Sequence, residues 1–173
     1  MNRKVVTTLG FAIGFQLLVL CGVYVNAALP LWLGKEVRIS TVPVDPRSMF
    51  RGNYAQLRYE ISEIVETEFS DSDPNMNQLR NGEVVYVSLE QNGDGLYQFS
   101  GASLEKPATG VFLRGRVASR YYSSVVRIKY GIEAYFAPKD KALALEAKLR
   151  DGGVAVLMVS DSGKARLKEV VAE

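Results

Sequence analysis

Residues 44–60 have the sequence VDPRSMFRGNYAQLRYE, and this stretch decides the fold of the chain. Its first half is rich in turn-forming residues, including Asp45-Pro46 and Gly52-Asn53. Its second half alternates apolar and polar side chains through Ile61, which is typical of a half-buried β-strand. We therefore expect a β-rich domain to begin here, with Gly52-Asn53 as a tight turn or bulge at the start of a strand.

The segment before this stretch is uncharged from residue 5 to residue 34. A spanning helix needs about 20 mostly apolar residues, so the segment is long enough to cross a bilayer. We expect Tyr24 and Trp32 to lie near the distal headgroup layer and Pro30 to end the helix. The prediction is a transmembrane segment within residues 1–34 and a single β-rich domain over residues 35–173.

Three fates are open to this apolar segment. A cleaved signal peptide would use Val25-Asn26-Ala27 as its cleavage site, but the apolar run exceeds the usual ~7–15 residues. A lipoprotein signal would use Cys21, but Leu20 precedes it where a small residue is expected. Length favours a retained signal-anchor in a bacterial plasma (inner) membrane. Long C-terminal domains translocate largely regardless of nearby charge, so we expect the domain to be extracytoplasmic.

Composition excludes several kinds of chemistry. The chain has 21 basic and 19 acidic residues, and Arg3 and Lys4 account for the excess, so the domain is formally neutral and no nucleic-acid partner is expected. It has no histidine, and its one cysteine lies in the apolar segment. These counts exclude Ser-His triads, histidine-ligated zinc and a thiolate nucleophile in the domain. We expect neither a metal nor a cofactor.

Beyond residue 34 the pattern predicts about eight strands and one short α-helix, arranged as an antiparallel barrel or sandwich. Pro138–Arg150 is the predicted helix, because Ala142, Leu145 and Leu149 share one helical stripe. The other predicted elements are strands at residues 37–43, 54–61, 83–91, 96–106, 110–122, 124–136, 154–159 and 165–171.

Two blocks of sequence carry a family resemblance. Arg51-Gly52-Asn53-Tyr54-Ala55-Gln56-Leu57-Arg58-Tyr59 resembles the motif that names the GDYXXLXY family of bacterial proteins. Tyr130-Gly131-Ile132-Glu133-Ala134-Tyr135-Phe136-Ala137-Pro138 is similar to the second shared block of that family. The resemblance covers nearly the whole chain and departs at Asn53, where the family motif has Asp. It implies a membrane-anchored extracytoplasmic protein, often encoded beside polytopic membrane proteins, and it leaves the activity open.

The candidate interaction site consists of residues in or beside these blocks. Arg47, Arg51, Arg58 and Glu133 are expected to form an ion network or, alternatively, a groove for an anionic group. The full candidate set is Asp45, Arg47, Arg51, Gly52, Asn53, Tyr54, Leu57, Tyr59, Tyr130, Gly131, Glu133 and Tyr135.

Three functional hypotheses remain. The first is a non-enzymatic partner of a polytopic membrane protein, for which Gly10 and Gly14 would let a partner helix approach closely. The second is an envelope hydrolase similar to type I signal peptidases, with Ser48 as nucleophile and Lys129 as base. Lys129 alternates with apolar neighbours, which favours exposure instead. The third is a β-barrel that binds a small molecule of unknown identity.

Overall fold

The N-terminal segment forms one long helix, α1 (Arg3–Leu33), in a computed structural model that describes residues 3–42, 54–69, 79–120, 125–136 and 152–171. Val6–Ala28 is long and apolar enough to span a membrane, and no part of its most apolar stretch is buried against the domain. The expectation that Pro30 ends the helix is wrong, because the helix continues to Leu33. Arg166 Nε donates a hydrogen bond to the Ala27 carbonyl at 3.2 Å, so the domain contacts this last part of the helix.

The rest of the described chain is almost entirely β-structure. Eleven strands lie in the described residues: β1 (Lys35–Val42), β2 (Tyr54–Gln56), β3 (Arg58–Tyr59), β4 (Glu63–Val65), β5 (Val84–Gln91), β6 (Tyr97–Ser103), β7 (Val111–Arg120), β8 (Val125–Lys129), β9 (Ala134–Phe136), β10 (Gly153–Val159) and β11 (Ala165–Val171).

These strands form two main sheets around one core. One sheet has the order β11-β10-β1-β3, the other has the order β4-β8-β7-β5-β6, and β2 pairs separately with β9. All the pairings between these strands are antiparallel. The core combines Ile39 and Leu157 from the first sheet with Val87, Leu113 and Ile128 from the second. The predicted mainly antiparallel β fold behind one apolar helix is confirmed, whereas the predicted helix at Pro138–Arg150 lies outside the described residues.

Two of the strands were predicted as continuous, and that prediction is wrong because each is divided in the structure. The strand expected over residues 54–61 is divided into β2 and β3, followed by a 3-10 turn at Glu60–Ser62 and then β4. The strand expected over residues 124–136 is divided into β8 and β9. The division follows from the pairing, since β2 pairs with β9, β3 with β1 and β4 with β8, so both segments must bend to change partners. Leu57, Tyr59 and Ile61 are buried as predicted, but Ala134 is exposed.

The turn between β10 and β11 joins the two main sheets. The Arg114 amide of β7 donates to the Gly163 carbonyl at 2.8 Å. Gly163 has a φ of +77°, and a Cβ placed there would lie 2.7 Å from the Phe112 ring, so only glycine fits this junction. The motif residues lie in β3 of the first sheet, in the separate β2–β9 pair and in the turn after β8 of the second sheet.

Candidate functional site

The structure brings the two motif blocks together. In the β2–β9 pair, Tyr54 lies opposite Phe136 and Gln56 lies opposite Ala134. One residue further along, the Leu57 amide donates to the Glu133 carbonyl at 2.7 Å. Blocks that are more than 70 residues apart in sequence therefore form one continuous backbone contact.

Two tyrosines, one from each block, exchange buried hydrogen bonds. Tyr59 Oη donates to the Ile132 carbonyl at 2.6 Å, and Tyr130 Oη donates to the Ile61 carbonyl. Both rings are buried, with relative exposures of 1% and 8%. Burial, followed by the negative charge of Glu133, raises the pKa of both hydroxyls above the ordinary tyrosine value, so both remain neutral donors. We call Tyr59 and Tyr130 the tyrosine clasp.

The Glu133 carboxylate closes the turn between β8 and β9. One of its oxygens accepts the Tyr130 amide and the other accepts the Gly131 amide at 3.0 Å. Gly131 has a φ of +81°, a conformation that glycine adopts with little strain. The only described acid among the candidate residues thus holds backbone in place, which is a structural use of a carboxylate rather than a catalytic one.

Two further candidate residues belong to the core or pack against it. Leu57 is buried, and the half-buried Tyr135 packs against the core cluster. Arg58 and Glu133 line the same cavity of about 420 Å³. No ion pair within 4 Å joins these two described side chains. The remaining candidates, namely Asp45, Arg47, Ser48, Arg51, Gly52, Asn53 and the side chain of Tyr54, lie outside the described residues.

The hydrolase hypothesis concerns one described residue. Lys129 is exposed at the end of β8, and it lies opposite Arg116 in the β7–β8 ladder. Its separation from Ser48 stays a prediction, because Ser48 lies outside the described residues. In the described part of the chain, no group of three or more Asp, Glu, His or Cys side chains is arranged to hold a metal ion.

A cluster of four cations was not predicted from the sequence, which had singled out only Lys129 among them. Arg114, Arg116, Lys129 and Lys164 line one cavity of about 540 Å³ on the outer side of the second sheet. We call this cavity the basic groove. The alternation of Arg114 and Arg116 along β7 indicates a shared outward face. Lys164 is remote in sequence, so its presence depended on the turn that joins the sheets.

Comparison with known proteins identifies one family. The family model described as "GDYXXLXY protein" matches residues 16–170. No curated protein and no solved structure gave a match to the chain. The matched range contains both motif blocks, the tyrosine clasp and the basic groove.

Proposed function

The chain belongs to the GDYXXLXY family, and from that premise we propose that it is a single-pass, non-enzymatic accessory of a polytopic membrane protein. In this proposal α1 is a retained signal-anchor in a bacterial plasma membrane. The β-domain is extracytoplasmic and binds the partner outside the bilayer. The helix contributes a second contact within the bilayer.

The observation that carries the proposal is the use of the described motif residues. Tyr59 and Tyr130 hold two backbone carbonyls, and Glu133 holds two backbone amides. Each of these polar groups is therefore occupied by the fold itself, which supports a binding domain over an enzyme. In this proposal the family motif maintains the backbone conformation of the domain, and the partner recognises the surface that results.

The helix supports association within the membrane. Space around Gly10 and Gly14 is open, since a Cβ added at either position would meet no atom within 4 Å. These two glycines lie four residues apart and so on nearly the same face of the helix. Small residues at this spacing let two helices approach closely in lipid, where packing drives association.

Co-purification from membranes tests the accessory function. Full-length protein is cross-linked in membranes, extracted in mild detergent and compared with a Gly10→Leu/Gly14→Leu variant. We expect the wild-type chain to carry a polytopic protein and the variant to lose most of it. Ala12→Leu, on the opposite helix face, is the control and should retain the partner. A wild-type chain that is extracted alone and monomeric would contradict the proposal.

The two alternatives gain no support from the described residues. A Ser/Lys hydrolase needs a lysine held neutral by burial, whereas Lys129 is exposed. A ligand-binding barrel needs an open interior. Val87, Leu113 and Leu157 fill the space between the two sheets, and each is 0% exposed.

A further inference from the structure

The basic groove concentrates positive charge on one face of a domain that is neutral as a whole. Arg116 and Lys129 are direct neighbours across the β7–β8 ladder. Lys164 lines the same groove from the turn between β10 and β11. The adjacent Gly163 is held beside β7 because its carbonyl accepts a hydrogen bond from the Arg114 amide. Like charges on directly opposed residues destabilise a sheet, so this arrangement favours a bound anion that offsets the repulsion.

No described acid neutralises these cations. Among the described residues, the ion pairs within 4 Å involve Arg38, Arg127 and Lys168, and none involves a groove cation. Glu133 also lines the groove, but its two oxygens accept the Tyr130 and Gly131 amides. The Arg116 guanidinium donates to the Gly82 carbonyl at 2.6 Å, which fixes its position without removing its charge.

The basic groove continues to the membrane helix. A neighbouring cavity of about 300 Å³ shares Arg114 and Lys164 with the groove. Its other wall includes Val23, Asn26 and Ala27 of α1. Arg166 extends the positive charge along this wall and donates to the Ala27 carbonyl.

The position along α1 gives the depth of this wall in a bilayer. A helix rises about 1.5 Å per residue, so Asn26 and Ala27 lie about 30 Å beyond Val6, where the apolar span begins. That distance equals the thickness of the hydrocarbon core, about 30 Å. Arg114 and Lys164 line the cavity beside Asn26 and Ala27, so with α1 across a bilayer they lie near the headgroups of the leaflet where α1 leaves the membrane.

We propose that the basic groove binds the phosphate of an anionic phospholipid headgroup in that leaflet. The inference rests on the membrane anchoring stated above. Guanidinium and ammonium groups form charge-assisted hydrogen bonds to phosphate oxygens, and an anionic surface attracts Lys and Arg held close to it. A bound headgroup would fix the orientation of the β-domain on the bilayer, which one helix alone does not do.

A titration with short-chain lipid tests this inference. The full-length protein in nonionic detergent is titrated with dihexanoyl phosphatidylglycerol, with the phosphatidylcholine analogue and with inorganic phosphate, and Kd is measured by calorimetry. A Lys129→Gln/Lys164→Gln variant is compared with Arg38→Gln/Lys106→Gln, which removes two cations outside the groove. We expect saturable binding of phosphatidylglycerol only, weakened about tenfold in the groove variant and unchanged in the control.

Several results would overturn the inference. Phosphatidylcholine binding as tightly as phosphatidylglycerol, inorganic phosphate matching the lipid, or equal losses in both variants would each do so. Loss of a co-purified protein in the groove variant, without any phosphatidylglycerol binding, would assign the groove to an acidic protein instead. A monomeric chain that binds phosphatidylglycerol contradicts only the accessory function, whereas a partnered chain that ignores this lipid contradicts only the groove.

Discussion

Each hydroxyl of the tyrosine clasp satisfies one buried backbone carbonyl, so removing it leaves that carbonyl without its donor. We expect Tyr59→Phe and Tyr130→Phe each to lower the free energy of unfolding by about 1–3 kcal/mol. Urea unfolding of the full chain in nonionic detergent, followed by circular dichroism, measures this. Tyr86→Phe is the control, because Tyr86 contacts Phe112 edge-on and no described hydrogen bond uses its hydroxyl. Equal effects at all three positions would contradict the structural role.

The same two tyrosines predict how stability changes at high pH. Their pKa is raised in the folded state, so above about pH 10 the unfolded chain loses these protons first. Their contribution to stability is therefore complete below about pH 10 and declines as the pH rises further. Each clasp tyrosine should steepen this decline by about 1.4 kcal/mol per pH unit. Unfolding of Tyr59→Phe between pH 9 and 11 should show a shallower slope than wild type, and identical slopes would contradict the prediction.

A substitution at Gly131 tests whether the turn between β8 and β9 depends on the positive φ of this glycine. With a φ of +81° and open space around it, Gly131→Ala introduces strain without a clash. We expect a loss of about 1–2 kcal/mol in the free energy of unfolding. Gly93→Ala is matched to it, because Gly93 also lies in an exposed turn with open space but lacks a positive φ. A loss at Gly93 as large as that at Gly131 would show that the special conformation is not the cause.

At the scale of elements, the turn between β10 and β11 contributes a backbone hydrogen bond between the two sheets, from the Arg114 amide to the Gly163 carbonyl. Gly163→Ala combines a φ of +77° with a Cβ 2.7 Å from Phe112 and 3.0 Å from the Arg114 amide. Gly95→Ala has a similar φ of +82°, but its nearest neighbour is the Gln91 side chain at 3.7 Å. We expect a loss of about 2–4 kcal/mol at Gly163 and about 1 kcal/mol at Gly95. Equal losses in urea unfolding would mean that the contact with Phe112 and Arg114 adds no cost to the positive φ.

Elements with a strong local signal were predictable from sequence, and those that depend on distant partners were not. The final hairpin, β10 to β11, follows from alternation on both sides of a glycine-containing turn, and its observed bounds agree closely. The division at Tyr130–Glu133 was missed because alternation continues through the turn, with Tyr130 and Ile132 both buried. A period of two residues reports burial, and it does not report which strand is the partner.

In the candidate site, too, the sequence did not show which distant segments contact each other. Sequence identified both motif blocks, but the reciprocal bonds of Tyr59 and Tyr130 join residues 73 and 69 positions apart. Glu133 was expected in an ion network, and the described contacts assign it to two backbone amides instead. Such a role depends on the exact bend of the chain, which no spacing rule encodes.

At the scale of the whole molecule, charge is balanced over the β-domain and uneven over its surface. The sequence suggested an anion-binding groove only as an alternative for Arg47, Arg51, Arg58 and Glu133, and it gave no signal of the basic groove, because the groove cations come from β7, β8 and the turn before β11. Folding brings them to the side of the domain that contacts α1. If the groove binds a headgroup as proposed, the arrangement of the protein on the membrane depends on both the apolar helix and this face.

The orientation of the whole chain leads to a prediction for the intact membrane. If α1 is a retained anchor with the domain outside, Asp161 in the exposed turn between β10 and β11 should be accessible from the extracytoplasmic side. In a Cys21→Ser background, we expect Asp161→Cys to react with a membrane-impermeant maleimide in cells whose outer membrane has been permeabilised. Asn2→Cys should react only after lysis, since it precedes the span.

Two controls make the outcome of this labelling decisive. The wild-type chain carries its only cysteine within the apolar span, so it should resist labelling before detergent is added. Mass spectrometry of the purified protein should find residues before Val25 still attached, because cleavage after Ala27 would remove them. Labelling of Asp161→Cys only after lysis would reverse the orientation, and a mature chain that lacks the helix would replace the anchor with a cleaved signal peptide. In the second case the domain would leave the bilayer, and the groove would have no headgroup layer beside it.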